Sequence, residues 1–313
     1  MLKLRDVAAA RERLRPWLQP TPLQEAPGLG DRVWLKLENS NRTRSFKLRG
    51  ALNAMLLLER SARQRGVIAC SSGNHAQGVA WASQMLGIEA RLLMPARTPH
   101  RKLEGVRQLG AQAELFGNTY DETETEARRR EREQNLALIS PYNDAGVIAG
   151  AGTIGLELLD DLRDLERVLV PVSGGGLISG IGLALGTLRP TLEIIGVCAR
   201  SAPAMANLFH GSALPQRWDT LAEALSGEVE PDSMTIALVR RFVNRIVLVP
   251  EEAIAAAMRW MLLEHGQVVE GGGAVTIAAL QCGAVDLDGR PTALVISGGN
   301  VDDATLCQIL ALV

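Results

Sequence analysis

The 313-residue chain sets 33 Lys+Arg against 35 Asp+Glu, a formal net charge of −2, with 47% hydrophobic and 22% charged residues. That balance excludes intrinsic disorder and supplies no field for holding nucleic acid or an anionic membrane, while the length suggests about two domains. Residues 1–17 alternate charged with apolar side chains and lack the apolar core of a signal peptide. Strand patterns follow at 33–37, 67–71, 90–94, 113–116, 168–172, 194–198, 246–249 and 292–296. Between them lie helical patterns, the clearest at 47–58, 77–86, 120–134, 251–263 and 302–312. The most apolar window, 168–186, contains Pro171 and six glycines, so it reads as strand, turn and helix and not as a membrane span. The alternation predicts an α/β protein with open, mostly parallel sheets covered by helices. The charge run at 122–133 (ETETEARRRERE) reads as the wet face of a surface helix laced with ion pairs. Cys70, Cys198, Cys282 and Cys307 form no CxxC pair, so neither a zinc site nor a disulfide framework is expected. The expected location is the cytoplasm.

Three strand patterns end alike. The strand at 67–71 runs into Ser71-Ser72-Gly73-Asn74-His75, the strand at 168–172 into Ser173-Gly174-Gly175-Gly176-Leu177, and the strand at 292–296 into Ser297-Gly298-Gly299-Asn300. Glycine at the carboxyl end of a strand lets the backbone turn sharply and approach a ligand, and a following helix N-terminus offers free N–H groups to an anion. In open α/β sheets ligands sit beyond these carboxyl ends. One such turn is ordinarily only a turn; three bearing hydroxyl or amide side chains mark a site. Gly174 and Gly176 lack the third glycine of a dinucleotide fingerprint, and no Gly-Lys-Ser/Thr of a phosphate-loop NTPase occurs. A smaller phosphorylated ligand fits better.

Of the 33 basic side chains only four are lysines, Lys3, Lys36, Lys47 and Lys102, so chemistry that needs a primary amine has few candidates. Lys3 and Lys102 lie among charged neighbours, and Lys36 reads as part of a charged surface alternation. Lys47, where a loop becomes a helix, has apolar residues on both sides. A lysine shielded from water loses its preference for the charged form and becomes a nucleophile able to condense with a carbonyl. A helix-start lysine reaching out to solvent is the ordinary alternative.

In chain order, Ser45-Phe46-Lys47-Leu48-Arg49-Gly50, Ser71–His75, Ser173–Leu177 and Ser297–Asn300 resemble the threonine dehydratase and serine racemase group of fold-type II pyridoxal-phosphate enzymes, which share the tryptophan-synthase-β-like, two-domain fold. The resemblance runs from Thr21-Pro22-Leu23 to the C-terminal helix and includes Leu37-Glu38-Asn39, residues 147–157 and Val268-Val269-Glu270. It implies that Lys47 binds pyridoxal 5'-phosphate covalently and shuttles the substrate's α-proton. Phe46 would pack on the pyridine ring, and the N–H groups of Gly174, Gly175, Gly176 and Leu177 would cradle the phosphate. Asn74 would bond the ring hydroxyl, and Ser297 would face the ring nitrogen. Ser71, Ser72, Gly73, Asn74 and His75 would hold the substrate carboxylate, with Ser72 a candidate second acid–base group and His75 part of the loop and not a base. A neutral hydroxyl at the ring nitrogen makes a weaker electron sink than an aspartate would, which suits α,β-elimination over transamination.

The resemblance also implies a large cofactor domain of residues 1–51 and 140–313, a small substrate-loop domain of 52–139, and a homodimer. Relatives usually have Gly where Arg44 stands and Gln where Ala151 stands, and Gly271-Gly272-Gly273 reads as a loose segment. The metal-ligating acids of racemase-type members correspond to Cys198 and Ala204, so no metal is expected. A regulatory domain after Val313 is not expected, nor is end-product feedback. The expected activity is a threonine/serine ammonia-lyase turning a β-hydroxy amino acid into a 2-oxo acid, with no nucleic-acid or membrane partner. The alternatives are an amino-acid racemase of the same fold and a dehydratase for 3-hydroxyaspartate or a hydroxyectoine-derived amino acid. A nicotinamide oxidoreductase and a non-catalytic sensor are the rivals from other classes.

Overall fold

The computed structural model describes residues 2–71, 73–96, 98 and 100–311, the side chain of Arg101 apart. Ten strands are present among the described residues: β1 (Leu23–Glu25), β2 (Val33–Leu37), β3 (Val67–Cys70), β4 (Ala90–Met94), β5 (Gln112–Leu115), β6 (Ala137–Leu138), β7 (Arg167–Pro171), β8 (Glu193–Ala199), β9 (Arg245–Val249) and β10 (Thr292–Ile296). The helices of the first half are α1 (Leu4–Leu14), α2 (Lys47–Leu57), α3 (Arg60–Arg65), α4 (Asn74–Leu86), α5 (His100–Gln108), α6 (Tyr120–Gln134) and α7 (Ala145–Asp161). Those of the second half are α8 (Gly176–Leu188), α9 (Ala204–His210), α10 (Met234–Phe242), α11 (Glu251–His265), α12 (Gly271–Gln281) and α13 (Asp303–Ala311). A six-stranded sheet has the order β1-β2-β10-β7-β8-β9, antiparallel only between β1 and β2, and a four-stranded parallel sheet has the order β5-β4-β3-β6.

The interior strands are continuous apolar runs because helices cover both faces. Every residue of β3, β7 and β10 is buried, whereas β5, on the edge of the small sheet, buries none of its residues. Helix α2 lies between the sheets. Its Leu48, Leu52 and Met55 join the core of the small sheet, while Gly50 and Gly150 let its backbone sit directly on α7. Helices α7 and α8 approach through Gly152, where an added Cβ would stand 2.8 Å from the Gly180 carbonyl oxygen. Helix α6 is capped by the Thr119 hydroxyl, which accepts from the Glu122 N–H at 3.2 Å. It carries the Arg128–Glu124, Arg129–Glu126 and Arg130–Glu126 pairs, as the charge run implies. No helix among the described residues is long and apolar enough to cross a membrane.

Two expectations fail here. Lys36 is not on the surface: β2 is an interior strand between β1 and β10, so Lys36 is fully buried, donating to the Thr21 carbonyl at 2.7 Å and pairing with Glu157 at 2.8 Å. The Gly271-Gly272-Gly273 run is not loose. It is the buried first turn of α12, where a side chain on Gly271 would collide with the Leu221 carbonyl and one on Gly273 would stand 2.5 Å from that of Gly298. The helix expected at 77–86 starts earlier, at Asn74, because Asn74 and His75 are polar yet buried and carry no apolar periodicity.

Candidate active site

All three glycine-bearing strand ends reach one cleft of about 1350 Å³ between the sheets. It is lined by Phe46, Lys47, Ser71, Gly73–His75, Ser173–Leu177 and Ser297. Ser72 lies outside the described residues.

Lys47 opens α2, whose start is held by two neighbours. The Phe46 N–H donates to the Ser297 carbonyl at 3.0 Å, and α4 packs against the Lys47–Leu48 backbone through Gly78, where a Cβ would stand 3.2 Å away. The amine lies 5.2 Å from the Phe46 ring centre and donates to the Pro141 carbonyl at 2.7 Å. Burial pulls its pKa down to about 8, against a smaller upward pull from the Glu270 carboxylate. One of the chain's four amines is thus a ready nucleophile.

The loop after β7 is built for close approach. Gly175 has φ of +86°, and a Cβ there would lie 2.7 Å from the Met205 methyl. One on Gly174 would lie 2.6 Å from the Tyr142 ring. Thr235 holds the loop from behind by donating to the Gly174 carbonyl at 2.7 Å. The free N–H groups at the start of the 13-residue α8 complete a concave, positive-ended cradle for an anion.

The loop after β3 leads straight into α4. The Ser71 hydroxyl accepts from the Gly73 N–H at 3.1 Å. His75 is buried with Nε2 2.8 Å from the Ile139 carbonyl, and burial together with Lys47 pushes its pKa down to about 3, so the ring stays neutral. The Asn74 amide donates to Glu270 Oε1 at 2.6 Å and accepts from Asn300 Nδ2 at 2.8 Å.

The third strand end differs from the other two. Helix α13 begins only at Asp303, and residues 297–300 instead bridge to the lysine loop, with Ser45 paired to Gly298 and the Gly299 N–H donating to the Arg44 carbonyl at 2.9 Å. Arg44 takes φ of +55°, the left-handed conformation that the glycine usual in relatives would adopt freely. Ser297 is buried and donates to the Gly272 carbonyl at 3.3 Å. Cys198 is fully buried with its thiol pushed up to about 12, and among the described residues no group of three acids, histidines or cysteines is placed to hold a metal.

Sequence reasoning missed Tyr142, Asn300 and the role of Glu270. Glu270 carried a signal, a lone acid in the run Val268–Ala274, and Asn300 lay in a marked strand-end turn without an assigned role; Tyr142 carried none, since its neighbours come from distant segments.

An anion cradle and a depressed lysine amine in one cleft, on a fold of two mostly parallel sheets, define an enzyme that carries a phosphorylated carbonyl cofactor on a lysine. The cradle, whose three glycines sit where a Cβ would collide with Tyr142, Met205 or Thr235, offers main-chain N–H groups that fit a phosphate monoester. The chain belongs to the pyridoxal-phosphate dependent enzyme family, whose model matches residues 14–298; pyridoxal phosphate is its cofactor and fold type II its architecture. It is 42% identical over 316 residues to the L-threonine ammonia-lyase of Thermotoga maritima, covering 99% of this chain and 78% of that one. Among solved structures it resembles the processed form of threonine deaminase isoform 2 from Solanum lycopersicum, with a TM-score of 0.91, 36% identity, and coverage of 98% of this chain and 86% of that one. It also resembles maize serine racemase, with a TM-score of 0.91, 29% identity, and coverage of 99% and 97%.

Proposed function

We propose that this enzyme is a threonine/serine-type ammonia-lyase that removes water and ammonia from a β-hydroxy amino acid and yields a 2-oxo acid. One observation carries the reading. The depressed amine of Lys47 shares a cleft with the cradle at 174–177 and with Ser71, Gly73, Asn74 and His75 at the start of α4.

Bound pyridoxal phosphate supplies the electron sink for the substrate's α-carbon. The main-chain N–H groups of Gly174, Gly175, Gly176 and Leu177 would hold its phosphate, Phe46 would pack on its ring, and Asn74 and Ser297 would meet its ring hydroxyl and ring nitrogen. The Ser71–His75 turn binds the substrate carboxylate at the α4 N-terminus. Lys47 Nζ takes the α-proton and a proton leaves with the β-hydroxyl as water. The released enamine then hydrolyses to the 2-oxo acid and ammonia. A hydroxyl at Ser297 in place of an acid would put no fixed negative charge beside the ring nitrogen, which would suit α,β-elimination. Ser72 is proposed as the acid–base group of the opposite face. Residues 1–51 with 140–313 and residues 52–139 are proposed as two domains, each built on one sheet, in a cytoplasmic homodimer.

The test is 2-oxo acid formation from L-threonine and L-serine by protein loaded with pyridoxal phosphate, with chiral analysis of the recovered amino acid. Rapid 2-oxo acid release with little D-isomer supports the lyase; D-isomer without 2-oxo acid overturns it in favour of a racemase.

A further inference from the structure

The chain buries several carboxylates, and one stands apart. Glu38 and Glu157 are each ion-paired to Arg49, and Glu157 to Lys36 as well. Glu270 is as buried as Glu157 and has no ion pair among the described residues. A carboxylate removed from water without a cation is costly, so its retention beside a reactive amine points to use and not to packing. Its place is made for it. Gly298 has no side chain where a Cβ would stand 2.5 Å from Glu270 Oε1, and the carboxylate accepts from the Asn74 amide and from the Asn300 main-chain N–H.

This contact also decides which way Asn74 points. A carboxylate only accepts, so the Asn74 NH₂ must face it, and the Asn74 carbonyl then receives the Asn300 amide, which donates in turn to the Thr43 carbonyl at 2.8 Å. One N–H of Asn74 is consumed by Glu270, and Asn74 also lines the cleft.

We propose that Glu270 is a positioning residue of the reaction: through Asn74 it orients the N–H that meets the cofactor's ring hydroxyl, and its negative charge sets how tightly that hydroxyl and Lys47 keep their protons. The proposal rests on the cofactor placement given under the proposed function. The charged groups facing Glu270 are Lys47 from α2, Lys102 from α5 and Glu223 from the turn Glu223–Leu225, with His75 of α4 neutral beside Lys47. Lys102 pairs with Glu223 at 3.0 Å and also draws the Glu270 carboxyl down, while Glu270 in turn pulls the Lys47 amine up. Burial raises the Glu270 carboxyl to about 7, so it changes charge within the working pH range.

Glu270→Gln keeps the shape and the acceptor for Asn74 and removes the charge, whereas Glu270→Asp keeps the charge. The readouts are the affinity for pyridoxal phosphate and the pH midpoint at which the bound cofactor's visible band titrates. Without the anion a nearby proton leaves more readily. The Gln variant should therefore bind cofactor yet titrate about one pH unit lower than wild type, and the Asp variant should recover most of that shift. An unmoved midpoint in the Gln variant overturns the proposal, as does a shift that Asp fails to restore, since the charge would then not be the operative property. The cofactor placement is tested apart by Lys47→Ala: a visible band identical to wild type there would remove the placement itself.

Discussion

At the scale of single residues, the site depends on how much of the Lys47 amine is free base. With a pKa of about 8, roughly a tenth is uncharged at pH 7, against about 0.03% for an ordinary lysine. Capture of pyridoxal phosphate by the apo-enzyme should therefore accelerate with rising pH and level off above about 8, as stopped-flow absorbance would show. A rate still climbing past pH 10 would mean an ordinary lysine. Lys47→Ala should abolish both the visible band and 2-oxo acid formation. Gly175→Ala tests the cradle separately. At φ of +86°, with Met205 and Thr235 in the way, a methyl group must displace the loop. The dissociation constant for the cofactor, followed by its absorbance, should rise at least about tenfold, equivalent to about 1.4 kcal/mol.

At the scale of elements, what aims Lys47 is a buried ionic knot two residues further along α2. Arg49 donates to both oxygens of Glu38, after β2, and to both oxygens of Glu157, on α7, while Thr21 donates to Glu38 at 2.6 Å and Lys36 reaches Glu157 from β2. Arg49→Met strands the buried Glu38 carboxylate and leaves Glu157 with Lys36 alone, and should cost about 3–5 kcal/mol, read as a lower urea midpoint at unchanged slope. The pH dependence follows from Glu38. Burial raises its pKa but Arg49, Thr21 and Lys36 together depress it, so its stabilisation is present above the ordinary carboxylate range and is lost as pH falls through the depressed value. This knot was not legible in the sequence. Local pattern places β2, β4, α6 and β10 at their observed bounds, because their apolar or charged periodicity is contained within each segment. Pattern cannot say that β2 is an interior strand, and so it left Lys36 on the surface and gave Arg49 no partner. The cradle and the nucleophile were legible because glycine runs and a scarce lysine are local features. The relay from Glu270 to Asn74 and Asn300 was not, because it joins three segments that meet only in the fold.

At the scale of the whole molecule, the cleft between the sheets is spanned by two weak clasps. Lys102 of α5 meets Glu223 at 3.0 Å, and Arg128 of α6 meets Glu230 at 3.0 Å, where Glu230 also accepts from Asn143 and its N–H donates to the Tyr142 hydroxyl beside the cradle. Side-chain exposures of 23% and 63% in the first pair leave it open to solvent, so it contributes about 0.2–1 kcal/mol, less at high salt. Clasps of that strength can bias an opening equilibrium without locking it. Closing the small sheet's helices onto bound substrate would expel water and bring the Ser71–His75 turn toward the cradle. Lys102→Ala should therefore raise KM about two- to five-fold with little change in kcat and only a small change in thermal stability. An inert substrate analogue should lower the radius of gyration and slow amide exchange in α5 of the loaded enzyme. Equal scattering curves and equal exchange with and without the analogue would show that the two sheets hold one fixed arrangement, and the clasps would then be no more than surface pairs.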